Sequence, residues 1–225
     1  IRDSSGDATL NLTGKTVETK GYTITVASGT VSITGGKFVN ETEGVTTKGS
    51  EDPHGILAVN SGATLNITNA SLETKAYQPL TVEGTCNSVG TTYKCTVAND
   101  KYDSKVMISV KGSAAYLNMP SGSVEMVASE SASDGMYGIY ASNGGKVTVG
   151  DAATGTGPSV HSQFAALGNN HDTSPSVWNI YGGEYVSAAK ATANEWWKYF
   201  CGALYLPATT DINLSLIHIS EPTRP

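Results

Sequence analysis

The side chains that could do chemistry are few and scattered. His54 follows Asp52-Pro53, and His171 precedes Asp172; in either pair a carboxylate could orient an imidazole as a general base. Each pair sits alone in a polar stretch, which is the setting of a solvated surface histidine. His161 has no acidic residue beside it in sequence. The adjacent acids Glu51-Asp52 stand in a Gly- and charge-rich loop over residues 44–54, and no Asp-Asp pair offers the clustered carboxylates of a glycoside hydrolase. Gly14-Lys15-Thr16 lacks the earlier glycine of a phosphate-binding loop, and there is no Gly-x-Ser-x-Gly elbow. Asn99-Asp100-Lys101-Tyr102-Asp103 could hold calcium, but its ligand oxygens are few and a solvated acidic turn is the expectation. On these residues no catalytic group, metal ligand or cofactor is assigned.

Two further groups have more to offer. Trp196, Trp197 and Tyr199 form the densest aromatic cluster in the chain, and Ala189, Ala193, Trp196 and Phe200 fall at helical spacing. This predicts a short helical or loop bulge over residues 187–200. Its exposed rings would stack on sugar rings; buried, the same rings would seal the protein's interior against water. Tyr181, Tyr185 and Tyr205 are expected on strand surfaces. The second group is Cys86-Asn87-Ser88-Val89-Gly90-Thr91-Thr92-Tyr93-Lys94-Cys95, which reads as a hairpin with glycine near its tip and a cysteine on each arm. A disulfide between Cys86 and Cys95 is the expectation, with two free thiols as the alternative. Neither cysteine has a His or Cys partner at zinc spacing. Cys201 is left over, and a buried position is expected for it. Asn11, Asn40 and Asn66 each begin an Asn-x-Thr match, which the abundance of Asn and Thr explains.

What must position these residues follows from composition. Ser, Thr, Gly and Asn supply 90 of the 225 residues. Charged residues make up 15%, against about 25% in an average soluble domain. Such a chain is poor in helix formers and rich in strand and turn residues. A net charge of −6 argues against nucleic acid as a partner, because phosphate-tracking surfaces concentrate Lys and Arg. No apolar run approaches the roughly 18 residues of a membrane-spanning helix.

One unit recurs along the chain: apolar-polar-apolar, a Gly or small polar turn, then another apolar residue. It reads Val31-Ser32-Ile33-Thr34-Gly35-Gly36-Lys37-Phe38, then Leu65-Asn66-Ile67-Thr68-Asn69-Ala70-Ser71-Leu72, then Leu117-Asn118-Met119-Pro120-Ser121-Gly122-Ser123-Val124. Val147-Thr148-Val149-Gly150 and Trp178-Asn179-Ile180-Tyr181-Gly182-Gly183-Glu184-Tyr185 continue it, with Leu10-Asn11-Leu12 and Ile212-Asn213 at the two ends. The central residue defines a polar column: Asn11, Ser32, Asn66, Asn118, Thr148, Asn179 and Asn213. A second short strand precedes most units, as in Ile24-Thr25-Val26, Leu57-Ala58-Val59, Ile108-Ser109-Val110, Ile139-Tyr140-Ala141 and Leu204-Tyr205-Leu206. Alternation puts one column inside and its neighbour outside. The same chemistry at the same place in each unit predicts an all-β parallel β-helix rather than a β-sandwich, which has no reason to repeat one central residue type. The expected domain spans residues 1–213, truncated at both ends, with a hairpin insertion over residues 84–104.

Ile1-Arg2-Asp3-Ser4-Ser5-Gly6, the Thr-Gly-Gly and Tyr-Gly-Gly turns, and Tyr205-Leu206-Pro207-Ala208 resemble large repetitive surface proteins of gut Firmicutes. Those are similar to the pectate-lyase-like right-handed β-helix superfamily. The resemblance implies a right-handed solenoid in an extracellular or cell-surface setting. It also raises polysaccharide cleavage, for which lyases of this kind use calcium-holding acids and a basic side chain, often Arg. Before residue 214 only Arg2 is an arginine, and no lysine stands beside an evident acidic cluster. Residues 214–225 resemble, residue for residue, translated sequencing-library adapter DNA, and are expected to be non-native. The functional expectation is a non-catalytic scaffold or adhesin-like stalk, with host or bacterial glycans or surface proteins as partners. A fragment of a polysaccharide lyase or hydrolase, and a phage receptor-binding spike, are the alternatives.

Overall fold

A computed structural model describes residues 6–19, 24–41, 55–75, 78–96, 106–126, 137–163, 165–169, 174–188, 202–206 and 210–214. The chain coils through short strands, three to a turn. The first coils contain β1 (Ala8–Asn11), β2 (Thr16–Thr19) and β3 (Ile24–Val26), then β4 (Thr30–Thr34), β5 (Lys37–Asn40) and β6 (Leu57–Val59). Next come β7 (Thr64–Thr68), β8 (Ser71–Thr74) and β9 (Leu80–Val82), followed by β10 (Thr85–Val89), β11 (Thr91–Cys95) and β12 (Val106–Lys111). The fifth and sixth coils are β13 (Tyr116–Met119), β14 (Gly122–Met126) and β15 (Tyr137–Ser142), then β16 (Lys146–Val149), β17 (Ser159–Ser162) and β18 (Leu167–Asn169). The series ends with β19 (Val177–Ile180), β20 (Glu184–Ser187), β21 (Leu204–Tyr205) and β22 (Asp211–Leu214).

Each strand pairs in parallel with the strand one coil before and one coil after it. The result is three sheets: an eight-stranded first sheet from β1 to β22, a seven-stranded second from β2 to β20, and a seven-stranded third from β3 to β21. This is an all-β parallel β-helix. Inward positions alternate with outward ones, as in β7, where Leu65 and Ile67 are buried while Thr64, Asn66 and Thr68 are half-exposed. In register, Val31, Leu65, Cys86, Leu117, Val147 and Trp178 stack into one internal column of the first sheet. Phe38, Leu72, Tyr93, Val124, Val160 and Tyr185 stack into another behind the second. Nearly every member is fully buried, so the core is a continuous rod of side chains, each buried on folding with a gain of roughly 1.5–3 kcal/mol for the larger aliphatics.

The register corrects the sequence reading at two places. The expected hairpin insertion does not form. Thr85–Val89 lies in the first sheet between β7 and β13, and Thr91–Cys95 lies in the second between β8 and β14, all in parallel. The segment is an ordinary coil, and Gly90 is its corner. Asn87 therefore joins the polar column between Asn66 and Asn118. At the N-terminal end, Thr9 and not Asn11 aligns with Ser32, while Asn11 aligns with Thr34. Leu214, assigned above to the adapter-like tail, closes β22 opposite Ile180; residues 215–225 lie outside the described residues, as do most of residues 187–200.

In four coils the corner between the first and second sheets is only one or two residues long. A left-handed backbone recurs there at Gly35 (φ 66°), Asn69 (φ 53°) and Gly90 (φ 59°). Their amides bridge coils: Gly35 N–H donates to Thr68 O at 2.8 Å, and Asn69 N–H donates to Val89 O at 2.9 Å. Asn is one of the few residues other than Gly that adopts this region readily. At Gly90 a Cβ would also press on the Asn69 side chain. Gly90→Ala is expected to lower stability by about 1–2 kcal/mol through left-handed strain, read from chemical denaturation curves. Asn69→Gly should leave the midpoint nearly unchanged.

Candidate binding surface

A β-helix presents three outward faces, and the register gives each its chemistry. On the first sheet the polar column is Thr9, Ser32, Asn66, Asn87, Asn118, Thr148, Asn179 and Asn213. Asn66 Nδ2 donates to Ser32 Oγ at 3.4 Å, and Asn87 Nδ2 donates to Asn66 Oδ1 at 2.9 Å. Asn179 Nδ2 donates to Thr148 Oγ1 at 3.2 Å, and Asn213 Nδ2 donates to Asn179 Oδ1 at 2.8 Å. The amides bind one another across coils, so this column is first a structural ladder. Asn66 is engaged in it and Asn40 is fully buried, so neither Asn-x-Thr match presents a free amide.

The second face is charged. Glu73, Lys94, Glu125 and His161 align on successive strands. Lys37 Nζ lies 2.8 Å from Glu73 Oε2, and Lys94 Nζ lies 3.5 Å from Glu125 Oε2. His161 does have an acidic neighbour, contrary to the sequence reading: its Nε2 is 3.6 Å from Glu184 Oε2, one coil further on. These side chains are substantially exposed, and exposed pairs contribute about 0–1 kcal/mol each. Alternating sign along the column is what prevents like charges from meeting across strands.

The third face is largely uncharged and becomes aromatic towards its C-terminal end. Its outward column runs Thr25, Ala58, Thr81, Ser109, Tyr140, Gly168 and Tyr205. Tyr137 joins Tyr140 there, with ring centroids 5.3 Å apart and planes tilted by 48°. Sequence reasoning expected Tyr205 on a strand surface but missed this grouping, in which Tyr137 and Tyr140 share β15 and Tyr205 comes from β21, two coils further on.

The remaining site expectations fall out as follows. Cys86 and Cys95 are buried thiols that are not joined by a disulfide. Cys86 points inward from the first sheet between Leu65 and Leu117, whereas Cys95 ends β11 in the second sheet and its thiol donates to Lys75 O at 3.3 Å. A hairpin would have placed them opposite each other; a coil places them on different walls. Tyr185, expected at a surface, is 3% exposed, and its hydroxyl donates to Gly182 O at 2.7 Å. Trp196, Trp197, Tyr199 and Cys201 lie outside the described residues, as do His54, His171, Asp172, Glu51, Asp52, Arg2 and the Asn99–Asp103 segment. Among the described residues no group of three or more His, Cys, Asp or Glu could hold a metal ion, and no helix is long and apolar enough to cross a membrane. No protein-family model, curated protein or solved structure matches this chain.

The titratable groups with shifted pKa values are buried. Burial pushes the Cys86 thiol from 9.0 up to about 12. Burial also raises the phenols of Tyr93, where nearby Cys86 adds to the rise and a 2.8 Å hydrogen bond with Ser88 opposes it, and of Tyr185. A buried thiol kept protonated is a poor nucleophile. Cys86 is expected to resist iodoacetamide in the native chain at pH 8 and to react on denaturation, as read by peptide mass mapping. The unfolded thiol ionises near 9.0 while the folded one holds its proton to about 12, so ionisation favours the unfolded chain above pH 9. The thermal midpoint should therefore fall as pH rises from 9 towards 12, and fall less steeply in Cys86→Val.

Proposed function

We propose that this chain is a non-catalytic scaffold segment of a secreted or cell-surface bacterial protein of the pectate-lyase-like β-helix type. The observation that carries the reading is the unbroken internal stack from β1 to β22, which makes a stiff rod from short repeats. Eight strands in the first sheet give it an axial length of roughly 34 Å at about 4.8 Å per strand. Connections between the second and third sheets vary from four residues, between β2 and β3, to sixteen, between β5 and β6 and between β20 and β21. Length varies there without disturbing the register of the strands on either side. A spacer that carries variable segments along one edge is a display scaffold, and its partners would be glycans or surface proteins.

The cleavage alternative is tested directly. The full chain, incubated with polygalacturonate and calcium, is expected to release no unsaturated uronates by ultraviolet absorbance. Steady, enzyme-dependent release would overturn the scaffold reading and identify a lyase.

A further inference from the structure

We infer that the outward face of the third sheet around Gly168 is a stacking platform for a neutral saccharide, built by Tyr137, Tyr140 and Tyr205. The first support is a break in the strand pattern. In β12 Met107 and Ile108 are consecutive and both fully buried, and the paired strand β15 has the matching pair Gly138 and Ile139, both buried. Strict alternation would separate Tyr137 from Tyr140 onto opposite sides of the sheet. The break brings both rings to the outside, 5.3 Å apart.

The second support is that two glycines make room for this arrangement. A Cβ at Gly138 would lie 2.5 Å from Val160 Cγ1 and 2.5 Å from Ala166 O, so the strand can turn Tyr137 outward only without a side chain there. Gly168 aligns with Tyr140 on one side and Tyr205 on the other. A Cβ on Gly168 would come 2.8 Å from Tyr137 Cδ1 and 3.4 Å from Tyr140 Cδ2. The Tyr137 ring thus lies down across the strand where any other residue would push it away. Tyr140 and Tyr205, two strands apart, stand about 10 Å from each other at ordinary strand spacing.

The third support is charge. The strands of this sheet carry hydroxyls and one cation, Lys111, at the exposed end of β12, in contrast to the Glu/Lys column on the second sheet. A neutral sugar ring combines an apolar C–H face, which packs on an aromatic ring, with a hydroxyl edge. Phenol groups answer both needs, since each presents a flat apolar body and a polar tip. Among the described residues of this face Lys111 alone could pair with a carboxylate, and it aligns with Ser142, two residues beyond Tyr140; the rings themselves offer a carboxylated sugar no counter-charge. The inference does not depend on the scaffold reading, because a chain that cleaved polygalacturonate would be judged on this platform by the same measurement.

The test is native affinity electrophoresis of the full chain in gels containing hydroxyethylcellulose, xyloglucan, laminarin or polygalacturonate. Retardation is expected in at least one neutral gel and not in polygalacturonate. Tyr140→Leu, which keeps an apolar side chain, should weaken that binding at least tenfold, whereas Tyr140→Phe should retain it. Trp196→Ala combined with Trp197→Ala should leave it unchanged. Circular dichroism checks that each variant folds, and Tyr205→Leu replaces Tyr140→Leu if that variant does not. Unretarded migration in all three neutral gels, retardation in polygalacturonate alone, or retardation unaffected by the leucine variant would overturn the proposal.

Discussion

In this fold each coil depends on its neighbours for its backbone hydrogen bonds. A short parallel strand has no partner within its own turn, so its N–H and C=O groups are satisfied by the coils before and after it. That constraint fixes register, and register fixes everything else. Once Ile33 is opposite Ile67, and Ile67 opposite Ser88, every inward residue must fit directly over another inward residue. The interior is therefore a set of columns rather than a jigsaw, and neighbours in space are separated by one coil length in sequence.

Polar groups enter the columns chiefly where a coil supplies an internal partner, Trp178 Nε1 being a buried exception with no hydrogen-bond partner among the described residues. Ser88 and Tyr93 face inward and hold each other by one hydrogen bond at 2.8 Å, so a phenol and a hydroxyl enter the core together. Tyr185 reaches the carbonyl of Gly182 in its own coil in the same way. Outside, the three walls are free to diverge, and they have done so: amides and hydroxyls on the first, alternating charges on the second, hydroxyls and phenols on the third. A single fold thus carries three unrelated surfaces, because the core is indifferent to what faces water.

The architecture was legible in the sequence because repetition survives translation into structure. The units at Val31, Leu65, Leu117, Val147 and Trp178 were visible as strands, and the structure stacks all five. The coil at Cys86 was not, for a physical reason: two short strands joined through a glycine look the same locally whether the chain folds back or turns a corner. Only alignment with Leu65 and Leu117 distinguishes the two, and Cys86 in an aliphatic column disguised it. The shift from Asn11 to Thr9 has a similar origin, since a two-residue slip preserves alternation. The surface groupings were least legible. His161 and Glu184 meet, and Tyr140 and Tyr205 share one face, only because intervening connections have particular lengths, and composition carries no trace of that.

The amide ladder on the first sheet has a direction. In the bonds from Asn66 to Ser32, Asn87 to Asn66, Asn179 to Thr148 and Asn213 to Asn179, the later coil donates and the earlier one accepts. Each amide that has donated is polarised so that its own oxygen becomes a better acceptor. Within the two runs, Asn87 to Asn66 to Ser32 and Asn213 to Asn179 to Thr148, a coil already in place therefore offers the next one a prepared acceptor. Between them Tyr116 Oη of the earlier coil donates to Thr148 Oγ1 instead, so the ladder is two short polarised runs, and each is primed for extension at its C-terminal end.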